Sequence, residues 1–526
     1  MYMIKSFTNW LKYLYVVNYY NTKDVLFMNA NDFSNINLVK SLDENINMIK
    51  NIFINDTTVV YRDLSIGKPT STKCTLVYID GMANLKTINE DIIKPLLLGD
   101  ISEINDSNIM DILMQKILLT ADNKKTSIVD NIINEIIYGK TMLFIDGLAE
   151  VISIGTIGWE KRAISEPQSE TIIRGPREGF TESMNLNITL IRRKLINPNL
   201  KFEFMRIGEQ TKTQICVCYI KGIAMEPIHK ELMTRLNNID IDGILDSGYI
   251  EELIKDAPYS PFRTIFNTER PDVVAGKLLE GRFAVLCDGT PVVLTLPTIF
   301  VEVFQSNEDY YNNFLYSSFV RFLRWLCFFI STSTSAIYVA LVTFHQELIP
   351  TPLLLSIYSA RQGLPFPSIV EAMGMMIVFE ILKEAGLRMP KHIGGAISIV
   401  GALVLGDAAV NARLVSAPIV IVTALTGISS IMLPQVLGIV EIRIIFLLLS
   451  SFLGLYGYIF GVMGLVLHMM SIRSFGIPYM TNIPSFSIQD IKDTVIRAPW
   501  WDMYLRPKLF TKNKRRQKKL RKRDSK

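Results

Sequence analysis

Residues 325–344 read Trp325-Leu-Cys-Phe-Phe-Ile-Ser-Thr-Ser-Thr-Ser-Ala-Ile-Tyr-Val-Ala-Leu-Val-Thr-Phe344, twenty positions without a charge, with Arg321 and Arg324 just ahead of them. At 1.5 Å per residue such a helix covers about 30 Å, the thickness of a bilayer's hydrocarbon core. The run predicts a membrane-crossing helix, and the rest of the chain is read outward from it. Leu414–Val440 is uncharged over 27 residues, with Pro418 and Pro434 near its ends. Ile444–Ile472 holds only His468 among Asp, Glu, Lys, Arg and His. These are the second and third expected spans.

Three weaker segments lie between. Leu348–Tyr358 is too short to cross and carries Pro350 and Pro352, so an interfacial or re-entrant position is expected. Ser368–Gly386 is apolar but includes Glu371, Glu380, Lys383 and Glu384; Ile393–Val410 is rich in small residues and has Asp407 near its end. Both are expected to line the bundle interior or a wet cavity. At about 100° per residue, Glu371 and Glu380 point about 180° apart, with Glu384 about 40° from Glu380. A charge facing lipid costs several kcal/mol, and a carboxylate ring favours cations. Glu371, Glu380 and Glu384 are therefore candidate pore residues; the competing reading is a helix at the membrane surface with its acids in water. Gly454, Gly457, Gly461 and Gly464, spaced 3, 4 and 3, place a glycine stripe on the last span, suited to helix packing within or between subunits. Gly395, Ser398, Ala402 and Gly406 make a similar stripe.

The composition of the 526 residues, 49% hydrophobic and 20% charged, conceals this division, because the first 300 residues are polar and Asn-rich. After Pro507 come eleven Lys/Arg and one acid, Asp524; their net +10 leaves −5 on the rest of a chain whose formal charge is +5. Such a tail belongs on the cytoplasmic side. The apolar stretch in the first twenty residues is broken by Asn9, Lys12 and Asn18 and precedes no small-residue cleavage site, so it reads as an amphipathic start and not a signal peptide. Both termini are expected in the cytoplasm, which requires an even number of crossings, taken as four. Cys74, Cys216, Cys218, Cys287 and Cys327 show no framework spacing and are expected as buried thiols in a reducing compartment, with Cys216 and Cys218 on one strand face.

The polar region matches itself at an offset of 142. Asn45, Ile46, Ile49, Ile54 and Asn55 recur as Asn187, Ile188, Ile191, Ile196 and Asn197. Asp130, Gly139, Asp146-Gly147 and Val151 recur as Asp272, Gly281, Asp288-Gly289 and Val293. With one residue deleted, Val77-Tyr-Ile-Asp-Gly-Met-Ala83 meets Cys218-Tyr-Ile-Lys-Gly-Ile-Ala224. Each copy reads helix, two strands, helices, then a hairpin. The hairpins are expected as Thr141–Ile145 with Glu150–Ile154 and Phe283–Cys287 with Pro291–Leu296, each turning at Asp-Gly, where φ must be positive. The predicted fold class is thus an α/β soluble region of two related subdomains followed by an α-helical polytopic membrane domain. Its expected parts are an N-terminal extension (1–34), subdomain 1 (35–160), subdomain 2 (161–305), a transmembrane domain (306–475) and a cytoplasmic tail (476–526), polybasic from 508.

Between the copies runs Ser165-Glu-Pro-Gln-Ser-Glu-Thr-Ile-Ile-Arg-Gly-Pro-Arg-Glu-Gly-Phe180. Arg174, Gly175, Pro176, Arg177, Glu178, Gly179 and Phe180 make a loop fixed by charge pairing and turn geometry, with a latch from Arg177 to Glu170 or Glu178. Arg174 and Arg177 also suit a phosphate or carboxylate. No Walker-A, GxGxxG, HExxH or GxSxG sequence occurs, and His229, His345, His392 and His468 are dispersed. No enzyme activity, cofactor, metal or nucleic-acid partner is expected.

The loop also carries a resemblance. Ser165-Glu-Pro, Ile173-Arg-Gly-Pro-Arg-Glu-Gly-Phe180, Leu190-Ile-Arg-Arg193, Ile207-Gly-x-x-Thr-Lys-Thr213 and Tyr219-x-x-Gly-Ile-Ala224 are similar to the A subunit of GerA-type spore germinant receptors. Gly289-Thr-Pro291, Asn307-Glu-Asp-Tyr-Tyr311, Arg497-Ala-Pro-Trp-Trp501 and Arg506-Pro507 continue it, so that it spans roughly residues 40 to 510. The resemblance implies a multi-pass subunit of the spore inner membrane. It would partner a transporter-like B subunit and a lipoprotein C subunit, and oligomerise into a ligand-gated channel for monovalent cations. A paralogue that amplifies germination with the dipicolinate-release machinery, or a non-conducting scaffold for B and C, shares these motifs. A solute transporter would instead show repeated membrane halves.

Overall fold

Gly147 and Gly289 take φ of 85° and 87°, the left-handed backbone that the two Asp-Gly turns require. They close the hairpins β4 (Thr141–Ile145) to β5 (Val151–Ile154) and β9 (Phe283–Cys287) to β10 (Val293–Leu296). Each second strand starts slightly later than its sequence suggests. The computed structural model describes residues 36–66, 72–98, 109–158, 166–167, 170–388, 406–433, 438–481, 492–507, 510–511 and 516. The expected N-terminal extension, most of the Ile393–Val410 segment with Gly395, Ser398 and Ala402, and most of the polybasic tail lie outside these. Two compact units are formed, one within Met1–Lys255, Ile265–Pro297 and Arg506–Lys514, the other within Asp256–Thr264, Thr298–Leu505 and Arg515–Lys526.

In the first unit, α1 (Leu42–Ile52) leads into β1 (Val59–Ile66) and β2 (Thr72–Ile79). Helical stretches at 85–98 and 109–117, then β3 (Asn123–Thr126) and α2 (Val129–Ile137), precede the β4–β5 hairpin. The antiparallel sheet runs β1-β2-β4-β5-β3. α1 and α2 bury Ile46, Ile49, Ile132 and Ile136 against Val77 and Phe144 on one face. The stretches at 85–98 and 109–117 cover Leu76, Leu143 and Ile152 on the other.

The same order returns as β6-β7-β9-β10-β8, with α3 (Met184–Lys194), β6 (Leu200–Ile207), β7 (Thr213–Ile220), α4 (Glu226–Asn237), α5 (Ser247–Ile254), β8 (Phe266–Thr268) and α6 (Pro271–Leu279). Identical side chains do identical work in both. Asp146 Oδ1 accepts the Leu42 N–H at the start of α1, and Asp288 Oδ1 accepts the Met184 N–H at the start of α3, both at 3.2 Å. Asn45 bonds the N–H and C=O of Val39, six residues back, as Asn187 does those of Thr181. Cys216 and Cys218 lie together under α3 and α6, buried and apolar in role.

In the second unit, Asn313 caps α7 (Phe314–Thr343) by accepting the Leu315 N–H at 2.9 Å. It is followed by α8 (Thr351–Arg361), α9 (Ser368–Arg388), α10 (Ala417–Ile431) and α11 (Ile439–Ser471). Among the described residues, α7 is long and apolar enough to cross a membrane, and α11 is so only when its 33 residues are counted as one continuous helix. Of the run Leu414–Val440, expected as a span, the described residues form the 15-residue α10, about 22 Å long and by itself shorter than a bilayer; residues 434–437 lie outside the described ones. α11 is not one rod. Gly454 has φ 59° and ψ −141°, close to backbone reserved for glycine. Beyond it, the Tyr458 ring returns to within 5.6 Å of Phe446, twelve residues earlier, where a straight helix would separate them by about 18 Å. The expected last span is therefore a helical hairpin that reverses at Gly454.

Candidate functional site in the helical unit

The foot of α7 is held by charge. Arg321 Nε donates to Asp309 Oδ2 at 2.8 Å and Arg321 Nη1 to Asp493 Oδ1 at 2.6 Å. Arg324 Nη1 reaches both Asp309 oxygens, at 3.0 and 2.8 Å. The two arginines that flank the sequence's first apolar run are buried, and Asp309, which touches both, balances their charge together with Asp493. Tyr310 donates its hydroxyl to Asp493 at 2.8 Å, while its carbonyl accepts from Trp500 Nε1 at 3.2 Å. Thus Asn307-Glu-Asp-Tyr-Tyr311 and Arg497-Ala-Pro-Trp-Trp501, nearly 190 residues apart, form one cluster. Nothing in the sequence pointed to Asp493.

The three carboxylates proposed from the sequence have different surroundings. Glu371 is buried: Oε2 accepts the Ser416 N–H that begins α10 at 2.9 Å, and Oε1 lies 3.5 Å from Arg361 Nη2. It serves as an internal brace between α8, α9 and α10. Glu380 is looser, 3.2 Å from Lys383 and 3.8 Å from the buried Arg443, whose Nε donates to the Ser331 carbonyl of α7 at 2.8 Å. Glu380 and Glu384 line an open groove of about 580 Å³, otherwise bounded by apolar side chains such as Met376, Ile377, Ile381, Val440 and Ile444. Arg361 and Arg443, which set these environments, were not singled out by sequence; each is a lone basic residue without a spacing pattern.

The glycine stripe is divided in the same way. A Cβ on Gly454 would lie 2.6 Å from the His345 ring, one on Gly457 2.0 Å from the Leu449 carbonyl, and one on Gly461 3.0 Å from Phe446. These three glycines admit contacts within the chain, around the reversal. Gly464 alone of the four meets nothing within 4 Å.

In the α/β unit the inter-repeat loop is anchored chiefly by a residue the sequence reading missed. The buried Arg270 donates to the Pro176 carbonyl at 2.8 Å and the Glu170 carbonyl at 3.3 Å, and pairs with Asp272 at 2.8 Å. Thr268 donates to Glu170 at 2.6 Å, and burial pushes the Glu170 carboxyl up to about 7. Glu178 pairs with Arg193 and Lys194. Gly179 and Phe180 are buried, and the Phe180 N–H donates to the Glu269 carbonyl at 2.8 Å. Gly175 has φ 142° and Arg174 is exposed. Arg177 is largely exposed and lies 3.9 Å from Glu166, so its ion pair among the described residues is with Glu166 and not with Glu170 or Glu178.

Residues 47–509 match the family model described as the Bacillus/Clostridium GerA spore germination protein. The chain belongs to this family. It is 45% identical over 475 residues to Spore germination protein KA of Bacillus subtilis (strain 168), a match covering 90% of this chain and 87% of the relative. Spore germination protein GerLA of Bacillus cereus is 38% identical over 431 residues, covering 81% and 87%. Uncharacterized membrane protein YfkQ of Bacillus subtilis (strain 168) is 42% identical over 440 residues, covering 83% and 85%. The solved N-terminal domain of the A subunit of the Bacillus megaterium spore germinant receptor GerK3 is 36% identical, covers 50% of this chain and 98% of that one, and superposes with a TM-score of 0.41. In this GerA-family chain, the motifs that carry the resemblance include the loop held by Arg270 and the cluster around Asp309.

Proposed function

We propose that the chain is the A-type subunit of a spore germinant receptor and that its homo-oligomer is a ligand-gated channel for monovalent cations. It sits in the spore inner membrane as a multi-pass protein with both termini in the cytoplasm. The transporter-like B subunit senses the nutrient, the lipoprotein C subunit completes the complex, and this chain supplies the conducting path. No catalytic step is assigned to it.

The observation that supports conduction is the pair Glu380 and Glu384 in a groove whose other walls are apolar. Carboxylates are unstable against hydrocarbon, so that groove faces water or another polar surface. Repeated around an oligomer, the pair makes an acidic ring, which attracts cations and rejects anions. Glu371 is occupied by Ser416 and Arg361 and has a supporting part. The test is reconstitution into liposomes, alone and with the B and C subunits. Cation flux that loses its preference over anions in Glu380→Gln supports the channel. No flux in any combination leaves the scaffold reading.

A further inference from the structure

The two repeats of the α/β unit are joined through unlike faces. The first repeat offers Ile52, Asp56, Thr57 and Gly81, and the second offers Thr189, Arg192, Lys201 and Phe202. Arg192 Nη2 donates to both Asp56 oxygens at 2.8 and 2.6 Å, and Lys201 Nζ to the Ile52 carbonyl at 2.9 Å. The Thr57 N–H and hydroxyl donate to the Phe202 carbonyl at 3.2 and 2.8 Å, and Thr189 Oγ1 to the Gly81 carbonyl at 3.2 Å. Thr57 thereby covers part of the outer edge of β6.

Because both repeats have one fold, each also carries the face that the other uses. On the first, Lys50 lies 5.4 Å over the Tyr61 ring, as Arg192 lies 4.6 Å over Phe202 on the second. Asn47 stands at the position of Thr189. On the second, Asn197, aligned with Asn55 by the sequence match, stands in the structure at the place of Asp56, because the offset falls from 142 to 141 ahead of the strands: Asn197 Oδ1 accepts the Asn199 N–H at 2.8 Å, as Asp56 Oδ1 accepts that of Thr58 at 3.2 Å. The register is fixed by a further matched pair, Asp80 N–H to the Thr58 carbonyl and Lys221 N–H to the Asn199 carbonyl, at 2.9 and 2.8 Å. Gly222 corresponds to Gly81. A Cβ on Gly81 would meet Thr189 Oγ1 at 3.0 Å, whereas one on Gly222 meets nothing within 4 Å. Asn47 and Lys50 are exposed and Tyr61 half-buried, on the edge strand β1 that corresponds to β6.

We propose that a second copy of this chain docks on Asn47, Lys50 and Tyr61 through its own Asn197 and Gly222, repeating between chains the joint made within one. The inference rests on the homo-oligomer of the preceding section and gives it an interface. The contact is head-to-tail, and such contacts close into rings when the rotation permits. It is weaker than the internal joint. Lys50 meets an amide where Arg192 meets a carboxylate, and Pro198, in the place of Thr57, has no N–H for the Tyr61 carbonyl. Chains confined to one membrane reach the effective concentration that such a joint needs.

The test uses the full chain in membranes and in mild detergent. Lys50→Cys together with Asn197→Cys should be joined between chains by a short bis-maleimide, a cross-link that neither single variant gives. K50R with N197D, which restores the Arg192–Asp56 chemistry, should lower the concentration at which the oligomer dissociates by about tenfold. The mass of the wild-type particle reads the oligomer separately. An oligomeric wild type with no 50–197 cross-link, and K50R/N197D dissociating like wild type, would overturn the interface and leave the oligomer standing. A cross-link from position 50 to a different protein would overturn it too. A monomeric wild type without cross-linking in membranes removes both.

Discussion

Arg192 Nη2 lies 2.6 and 2.8 Å from the two carboxylate oxygens of Asp56, 136 residues earlier in the chain, and both side chains are buried. Thr58 Oγ1 accepts from the same nitrogen, and the Phe202 ring lies under the guanidinium at 4.6 Å. One ion pair therefore connects the α1–β1 turn of the first repeat to α3 in the second.

Removing one partner of a buried pair leaves an uncompensated charge and costs about 3–5 kcal/mol. Arg192→Ala should loosen the joint between the repeats and, with the stacking on Phe202 lost, the seating of α3 on β6. Burial raises the thiols of Cys216 and Cys218, so both are inert while α3 covers them. Their labelling by a maleimide should accelerate at least 100-fold in Arg192→Ala, and Asp56→Ala on top of it, which removes the stranded carboxylate, should slow it again in part. Unchanged labelling would mean that the pair holds nothing together.

Glu170 gives the α/β unit a pH dependence. Its carboxyl is raised from an ordinary 4.5 to about 7, chiefly by burial. The folded state thus favours the protonated form. That contribution is fully present below about pH 4.5 and is lost as pH rises through 7, by on the order of 3 kcal/mol. Protease cleavage in the inter-repeat loop should be slower at pH 5.5 than at pH 8, and Glu170→Gln should flatten the difference. A wild-type loop equally resistant at both values would contradict this.

The reversal at Gly454 separates two uses of the glycine stripe. Any side chain there must adopt strained backbone, at about 1–3 kcal/mol, and also strike the His345 ring. Gly454→Ala and Gly457→Leu should lower the melting temperature of the detergent-solubilised chain or abolish its yield. Gly464→Leu, with open space around it, should shift the melting temperature little. If all three behave alike, the reversal at Gly454 is not what the glycines serve.

Glu371 and Glu380 should fail in different ways. Glu371→Ala strands the Ser416 N–H and Arg361, at about 3 kcal/mol, and should appear as thermal instability. Glu380→Gln breaks only contacts of 3.2 and 3.8 Å, so stability should hold while ion selectivity changes. A destabilised Glu380→Gln protein with unaltered selectivity would assign Glu380 to structure alone.

The duplication was legible because its signal lies in side chains that bond the backbone at fixed spacing. Asn45 and Asn187 reach six residues back, and Asp146 and Asp288 reach the helix starts 104 residues earlier. Loss of either bond unmoors a helix, so the residue types recur. The latch of the inter-repeat loop was legible as a charged turn but not in its partners. Arg270 and Thr268 come from a strand end nearly 100 residues later, where nothing local marks them.

By itself the sequence determined the division into a polar half and an apolar half, the twofold repeat, the Asp-Gly hairpins and the family. All of these are written in local periodicity, in φ requirements of single residues, or in motifs read along the chain. The tertiary structure alone decided which charges are buried together, as Asp309 with Arg321 and Arg324, and which of Glu371 and Glu380 is a brace. It also decided that Ile439–Ser471 folds back on itself. Hydropathy is blind to that reversal, because a helix and a helical hairpin bury the same apolar residues. What distinguishes them is one backbone angle pair at Gly454 and the side chains that then meet across it.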